Sequence, residues 1–200
     1  MIESWNVAGG ILEYIDETHT YIFNGKILPS ITQILKLKFG RKYDGISKDI
    51  LKRAAEKGTL VHECIEKYEK QGIIDESCIE LRNYMFLKRQ FNFKCLYNEI
   101  PIVLFFDDEP IAAGRVDLVL EEDGNIGICD IKRTSTFDKE YVGYQTNLYR
   151  IGYQQSYKKE ISFLRGLHLK DNIRKYITIP INEELPLELV KKYLKENNDE

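Results

Sequence analysis

Two hundred residues with 43% hydrophobic and 30% charged side chains suffice for one folded domain with a sizeable core, and they exclude a disordered chain. A net charge of −3 argues against indiscriminate nucleic-acid binding, and no apolar run approaches the about 20 residues of a membrane span. The opening MIESWNVAGGILEY does not read as a signal peptide, and the scattered Cys64, Cys78, Cys95 and Cys129 suggest neither a disulfide framework nor a zinc finger, so a reducing cytoplasm is expected.

The stretch YIFNGKILPSITQIL predicts a short hairpin or strand, then a helix from Ser30, a residue suited to an N-cap. Residues 47–70 read as mainly helical, with Gly58 a candidate break, and residues 76–92 as a second helix. The pattern then changes: CLYNEIPIVLFF (95–106), IAAGRVDLVL (111–120) and NIGICDIK (125–132) are strand-like. A helix over 138–158 follows, then two strands around Asp171–Asn172, then a closing helix with Pro186 near its start. This order predicts an α/β domain with a central mixed β-sheet flanked by helices. One domain is expected over 1–200, with an N-terminal helical part at about 28–93 and a core at about 95–182.

Charge is uneven along the chain. Residues 36–57 carry eight basic against three acidic side chains, a local excess of five positive charges. Such a segment suits a phosphate-facing side on an acidic protein.

The strand GICDIKRT poses a sharper question, because Asp130 and Lys132 are two residues apart and so share a face. Between this strand and the preceding one lies Asp123–Gly124, a strong signal for a two-residue hairpin turn. A loop of those two residues sets Asp117 opposite Asp130 and Arg115 opposite Lys132, all on one face. Two carboxylates about 5 Å apart at an effective dielectric of about 20 repel by roughly 3 kcal/mol. A cation between them removes that cost, and oxygen ligands with open positions suit Mg²⁺ or Mn²⁺.

GRVD (114–117) followed by DIK (130–132) resembles the core of the PD-(D/E)XK nuclease superfamily in its RecB-like exonuclease form. GTLVHECIE (58–66) resembles that family's upstream helix motif, and QTNLY (145–149) its QxxxY motif. LPSITQIL (28–35) resembles the opening of phage and mitochondrial members. The matches span about residues 21–150.

The resemblance implies a restriction-endonuclease-like core and a metal-dependent deoxyribonuclease, most readily an exonuclease on single-stranded DNA or DNA ends. A structure-specific endonuclease or resolvase, or a non-catalytic DNA-binding module on the same scaffold, are the alternatives. By the same resemblance, Asp117, Asp130 and His62 would hold Mg²⁺ or Mn²⁺, with Ile131 offering its backbone carbonyl. Lys132 would position water or neutralise charge on the phosphate, and Glu99 falls where the family often carries a strand acid. Gln145 and Tyr149, four apart on one helical face, would orient Lys132 or the DNA.

Ser30, Thr32, Lys52 and Arg53 are candidate phosphate contacts, and LPSITQIL (28–35) with segment 36–57 a candidate helical cover that admits a single strand. No cysteine follows Cys129, so the iron–sulfur cluster of some relatives is not expected. No helicase motif is present, so a helicase or recombination partner would be a separate chain, in a bacterial or phage-infected cell.

Overall fold

The computed structural model describes residues 1–198. Four short strands come first: β1 (Ile2–Val7), β2 (Gly10–Ile15), β3 (Thr20–Phe23) and β4 (Lys26–Leu28) form an antiparallel meander. Its first and last turns are the two-residue pairs Ala8–Gly9 and Asn24–Gly25, all four at positive φ, as a tight hairpin matching strand twist requires. The expected short hairpin or strand is the hairpin of β3 and β4, while the hairpin of β1 and β2 has no counterpart in the sequence pattern.

Helix α1 (Ile31–Phe39) starts where expected, with a reciprocal capping box between Ser30 and Gln33. Helix α2 (Lys48–Gln71) runs unbroken through Gly58 and stops at Gly72, in the left-handed conformation at φ 70°. No residue of α2 before Val61 is buried. Helix α3 (Ile79–Phe91) follows.

The second sheet is central. Strands β5 (Lys94–Phe106), β6 (Glu109–Glu122), β7 (Asn125–Lys132), β8 (Phe163–Lys170) and β9 (Ile173–Ile179) lie in sequence order. All neighbours are antiparallel except β7 and β8, whose parallel pairing is made by the crossover helix α4 (Lys139–Tyr157). Helix α5 (Glu184–Asn198) closes the chain. The fold is therefore α/β, a five-stranded mixed sheet flanked by helices, with the meander packed beside it. No described helix is long and apolar enough to cross a membrane.

Packing defines the two faces. Ile34 of α1, Leu148 of α4 and Val190 of α5 share one core with Ile102, Val119 and Ile128. Ile65 of α2 and Leu81 and Tyr84 of α3 share another with Leu118, Leu120, Cys129 and Ile131. The meander seals itself on β5 and β6 through Leu12, Phe23, Val103 and Ala113. Strict alternation along β6 would send Val116 and Val119 to opposite faces, yet both pack in the first core. The pleat therefore slips between them, at Asp117 and Leu118.

Candidate metal centre

The Asp123–Gly124 turn sets the register the sequence predicts, from Glu122↔Asn125 to Leu118↔Cys129. The next pair, Asp117 against Asp130, does not form. Asp117 Oδ2 instead accepts the backbone N–H of Ile131 at 2.7 Å. The slip in β6 is the physical reason: it turns Asp117 away from the face that Asp130 shares with Lys132. Arg115 likewise does not oppose Lys132. It pairs with Pro101 of β5, and its guanidinium lies 4.7 Å over the Tyr14 ring, with Nη1 donating to Glu3 at 3.3 Å.

Asp117 joins His62 and Glu99 instead. One ligand atom from each of the three lies within 4.8 Å of the others. His62 Nδ1 donates to Glu99 Oε1 at 3.2 Å and lies 3.8 Å from Asp117 Oδ1. Each side chain comes from a different element, α2, β5 and β6. Glu99 falls between the pairs Asn98↔Leu118 and Ile100↔Val116, hence beside Asp117. Its φ of 47° is left-handed, a conformation that costs a residue with a Cβ about 1–2 kcal/mol.

The electrostatics measure how negative this spot is. Burial works against the charged imidazolium of His62, but the Asp117 and Glu99 carboxylates outweigh it and lift its pKa to about 9. Burial likewise raises the Asp117 carboxyl, against the pull of His62. Without a divalent ion, the proton on His62 is the cation of the site.

Asp130 and Lys132 stand next to this cluster rather than within it: the expected ligand set of His62, Asp117 and Asp130 does not converge, and Glu99 takes the third place among the described residues. Asp130 is 1% exposed, and Lys132 Nζ donates to its Oδ1 at 2.6 Å. Desolvation lifts Asp130 to about 6, offset in part by Lys132 and reinforced by Asp117. Burial lowers Lys132, but Asp130 and Asp117 leave it raised on balance. Asp130 Oδ2 is buried and has no hydrogen-bond partner among the described residues. Such an atom normally has one, so it has a lone pair to offer. With imidazole and carboxylate donors alongside, the set fits Mg²⁺ or Mn²⁺.

Gln145 and Tyr149 meet as the i, i+4 spacing predicts: Gln145 Nε2 donates to the Tyr149 hydroxyl at 3.1 Å, both buried. Gln145 Oε1 has no partner. The Tyr149 ring abuts Gly114, where an added Cβ would lie 3.1 Å from Cε1.

A cleft of about 660 Å³ is lined by His62, Glu99 and Lys132, while Asp117, Asp130, Gln145 and Tyr149 are not part of its lining. Leu51, Ala54, Gly58 and His62 form its α2 wall, Glu99 and Lys132 its floor, and Ile131 also lines it. Arg115, which the expected hairpin register already sets on this face, borders it too, and so do Arg133 and Asp16, which no sequence motif marks. The meander thus enters the site through Asp16 and through the Tyr14 and Glu3 contacts of Arg115. The alternation in GILEYI signals such a strand, but not where it docks.

Four predicted contacts lie elsewhere. Ser30 caps α1, its hydroxyl accepting the Gln33 N–H and bonding the Thr32 hydroxyl, so both hydroxyls serve the helix start. Lys52 and Arg53 are exposed and outside the cleft lining. The helical cover is only partial: Lys38 and Lys42 pair with Glu140 and Asp138 at α4, leaving α2 as the cleft wall.

No family model and no curated protein matches this chain. Among solved structures, the crystal structure of SSO0001 is similar at 13% identity with a TM-score of 0.38, covering 82% of this chain and 84% of that one.

Proposed function

We propose that this chain is a metal-dependent deoxyribonuclease of the PD-(D/E)XK type, acting as an exonuclease on single-stranded DNA or DNA ends. One observation carries the reading: ligand atoms of His62, Glu99 and Asp117 converge within 4.8 Å of one another, and His62, Glu99 and Lys132, the last held by the buried Asp130, line one cleft. A structural ion pair alone would not need the third acid, the strained Glu99 backbone or the unpartnered Asp130 oxygen.

Mg²⁺ or Mn²⁺ held by His62, Glu99 and Asp117, beside Asp130, would polarise the scissile phosphate and acidify the attacking water. The chain's own groups do the rest. Asp130 fixes the Lys132 ammonium at the cleft floor, where it meets the charge that builds on the phosphate. Arg115 and Arg133 border the cleft but are paired, Arg115 with Glu3 and Glu99 and Arg133 with Glu80 and Asp171, so each would meet a flanking phosphate by exchanging a carboxylate for it. Tyr149, wedged on Gly114 and bonded to Gln145, backs the β6 segment that carries Asp117. The same reading expects a cytoplasmic protein of a bacterial or phage-infected cell, with any helicase on a separate chain.

The test is incubation of the purified protein and Mn²⁺ with end-labelled linear and closed circular DNA. The expected result is release of nucleotides from linear DNA by the wild type and none by Lys132→Ala. No cleavage of any DNA by the wild type, in either metal, overturns the reading.

A further inference from the structure

A second cavity, of about 310 Å³, lies on the other side of Glu99. Its volume is at the lower end of the range for small-ligand pockets, the size for one nucleoside rather than a duplex. Glu99 lines both this cavity and the catalytic cleft, so a chain leaving the metal cluster past Glu99 enters it directly.

Its walls have the chemistry of a base-binding site. Trp5 of β1 and Tyr97 of β5 both line it, and Tyr97 is 43% exposed. Neither ring is stacked on another ring among the described residues; Trp5 packs in part on the meander core and Lys159 Nζ lies 5.7 Å over the Tyr97 ring, so one face of each is the most a ligand can use. Asn98, between Tyr97 and Glu99 in the chain, also lines the cavity, and its Nδ2 is buried with no hydrogen-bond partner among the described residues. An unpaired amide donor at a binding surface is a stored penalty that a base carbonyl relieves. Lys70 of α2 completes the rim, though it already pairs with Glu66.

We propose that this cavity is a nucleobase subsite, in which Trp5 and Tyr97 receive a base of the single strand engaged at the metal cluster and Asn98 donates to its edge. The subsite deepens the nuclease reading and rests on it. Every base has a π-face, so stacking here is tolerant of sequence, while the Asn98 amide favours bases with a carbonyl in reach. A paired base cannot enter, because its edge and faces are already used in the duplex.

The chain has a single tryptophan, so its fluorescence reads this cavity directly. The probe is an oligothymidylate of about ten nucleotides, set against an abasic oligomer of equal length and charge, with Lys132→Ala protein in Mg²⁺ to prevent turnover. The expected result is saturable quenching of Trp5 by the thymidylate and not by the abasic strand. Tyr97→Ala with Asn98→Ala should weaken thymidylate binding by about tenfold and leave abasic binding unchanged; Tyr97 is exposed enough for the change to spare the fold. Equal affinity for the two oligomers, or no Trp5 response to either, overturns the subsite. Cleavage by the wild type without a Trp5 response sinks the subsite alone. Base-dependent quenching in a wild type that cuts nothing upholds the subsite and removes the nuclease.

Discussion

Asp117 Oδ2 accepts the Ile131 N–H at 2.7 Å while its Oδ1 lies 3.8 Å from His62 Nδ1, so one carboxylate both closes the β6–β7 ladder and serves the metal cluster. The two duties separate by substitution. Asp117→Asn keeps a carbonyl oxygen for Ile131 and removes a buried charge, so the metal-free variant should melt at or above the wild-type temperature while cleavage is lost. Asp117→Ala leaves the Ile131 N–H unsatisfied and should cost about 1–3 kcal/mol in denaturant unfolding. Equal stability of the two variants would show that the Asp117–Ile131 bond does not hold the ladder.

The protonation states predict how pH acts on the metal-free protein. Asp130 rises from 3.8 to about 6 on folding; a raised group favours the folded state when protonated. Its contribution is therefore present below about pH 4 and lost as pH climbs through about 6. His62 rises from 6.5 to about 9, so its contribution holds below 6.5 and fades towards 9. A divalent ion displaces the His62 proton, and its binding should strengthen across that same window.

Thermal melts with Mn²⁺ check this. Mn²⁺ at about a hundred times its Kd should raise Tm by roughly 5–10 °C, and the rise should be larger at pH 8.5 than at pH 6.5. His62→Ala should reduce the rise with Mn²⁺ more than with Mg²⁺, since imidazole suits the softer ion. An identical Mn²⁺ response in wild type and His62→Ala removes His62 from the site.

How much of this was legible depends on the length of chain over which a local rule holds. The Asp–Gly turn fixes the β6–β7 register correctly for five pairs. The extrapolation fails at the sixth because a slip in the pleat has no signature in GRVDLVL; it is visible only once Val116 and Val119 are seen in one core. The β1–β2 hairpin escaped because its turn begins with Ala8 at φ 53°, a residue with no preference for that conformation. Charge density marked segment 36–57 but not the phase of α2. Leu51, Ala54, Gly58 and His62, spaced by three and four, face the cleft, which leaves Lys52 and Arg53 on other sides of the helix. Glu99 reaches His62 through one left-handed residue, which composition cannot reveal.

Gly114 and Tyr149 couple two motifs that are far apart in sequence. A methyl at position 114 would lie 3.1 Å from Tyr149 Cε1, so Gly114→Ala must displace the ring. The expected loss is about 1–3 kcal/mol from overpacking, with reduced cleavage because Tyr149 backs the Asp117 segment. Tyr149→Phe keeps the ring and should not rescue it. In a Tyr149→Ala background the same glycine change should cost little, a non-additivity that a double-mutant cycle measures. Simple additivity would place the cause elsewhere in β6.

The last prediction separates strand ends from strand interiors. The first half of α2 makes no buried contact, yet it forms one wall of the cleft. Lys52 and Arg53 ride on it, exposed and away from the lining, while Arg115 and Arg133 border the cleft itself. A phosphate in the cleft that draws Arg133 from Glu80 and Asp171 should therefore depend on it more than on the α2 cations. Each neutralised phosphate adds about −0.7 to the log–log salt slope on single strands. Arg133→Gln should flatten that slope by about one contact; Lys52→Ala with Arg53→Ala should flatten it by less and leave Mn²⁺ binding untouched. A helix half that walls the cleft without burying a residue favours threading, so linear single-stranded DNA should be degraded from an end while a closed single-stranded circle persists. Efficient cutting of the circle, with Lys132→Ala inactive in the same assay, would replace the exonuclease with an endonuclease. Equal slopes for the α2 pair and for Arg133→Gln would show that the strand runs along α2 rather than along the cleft floor.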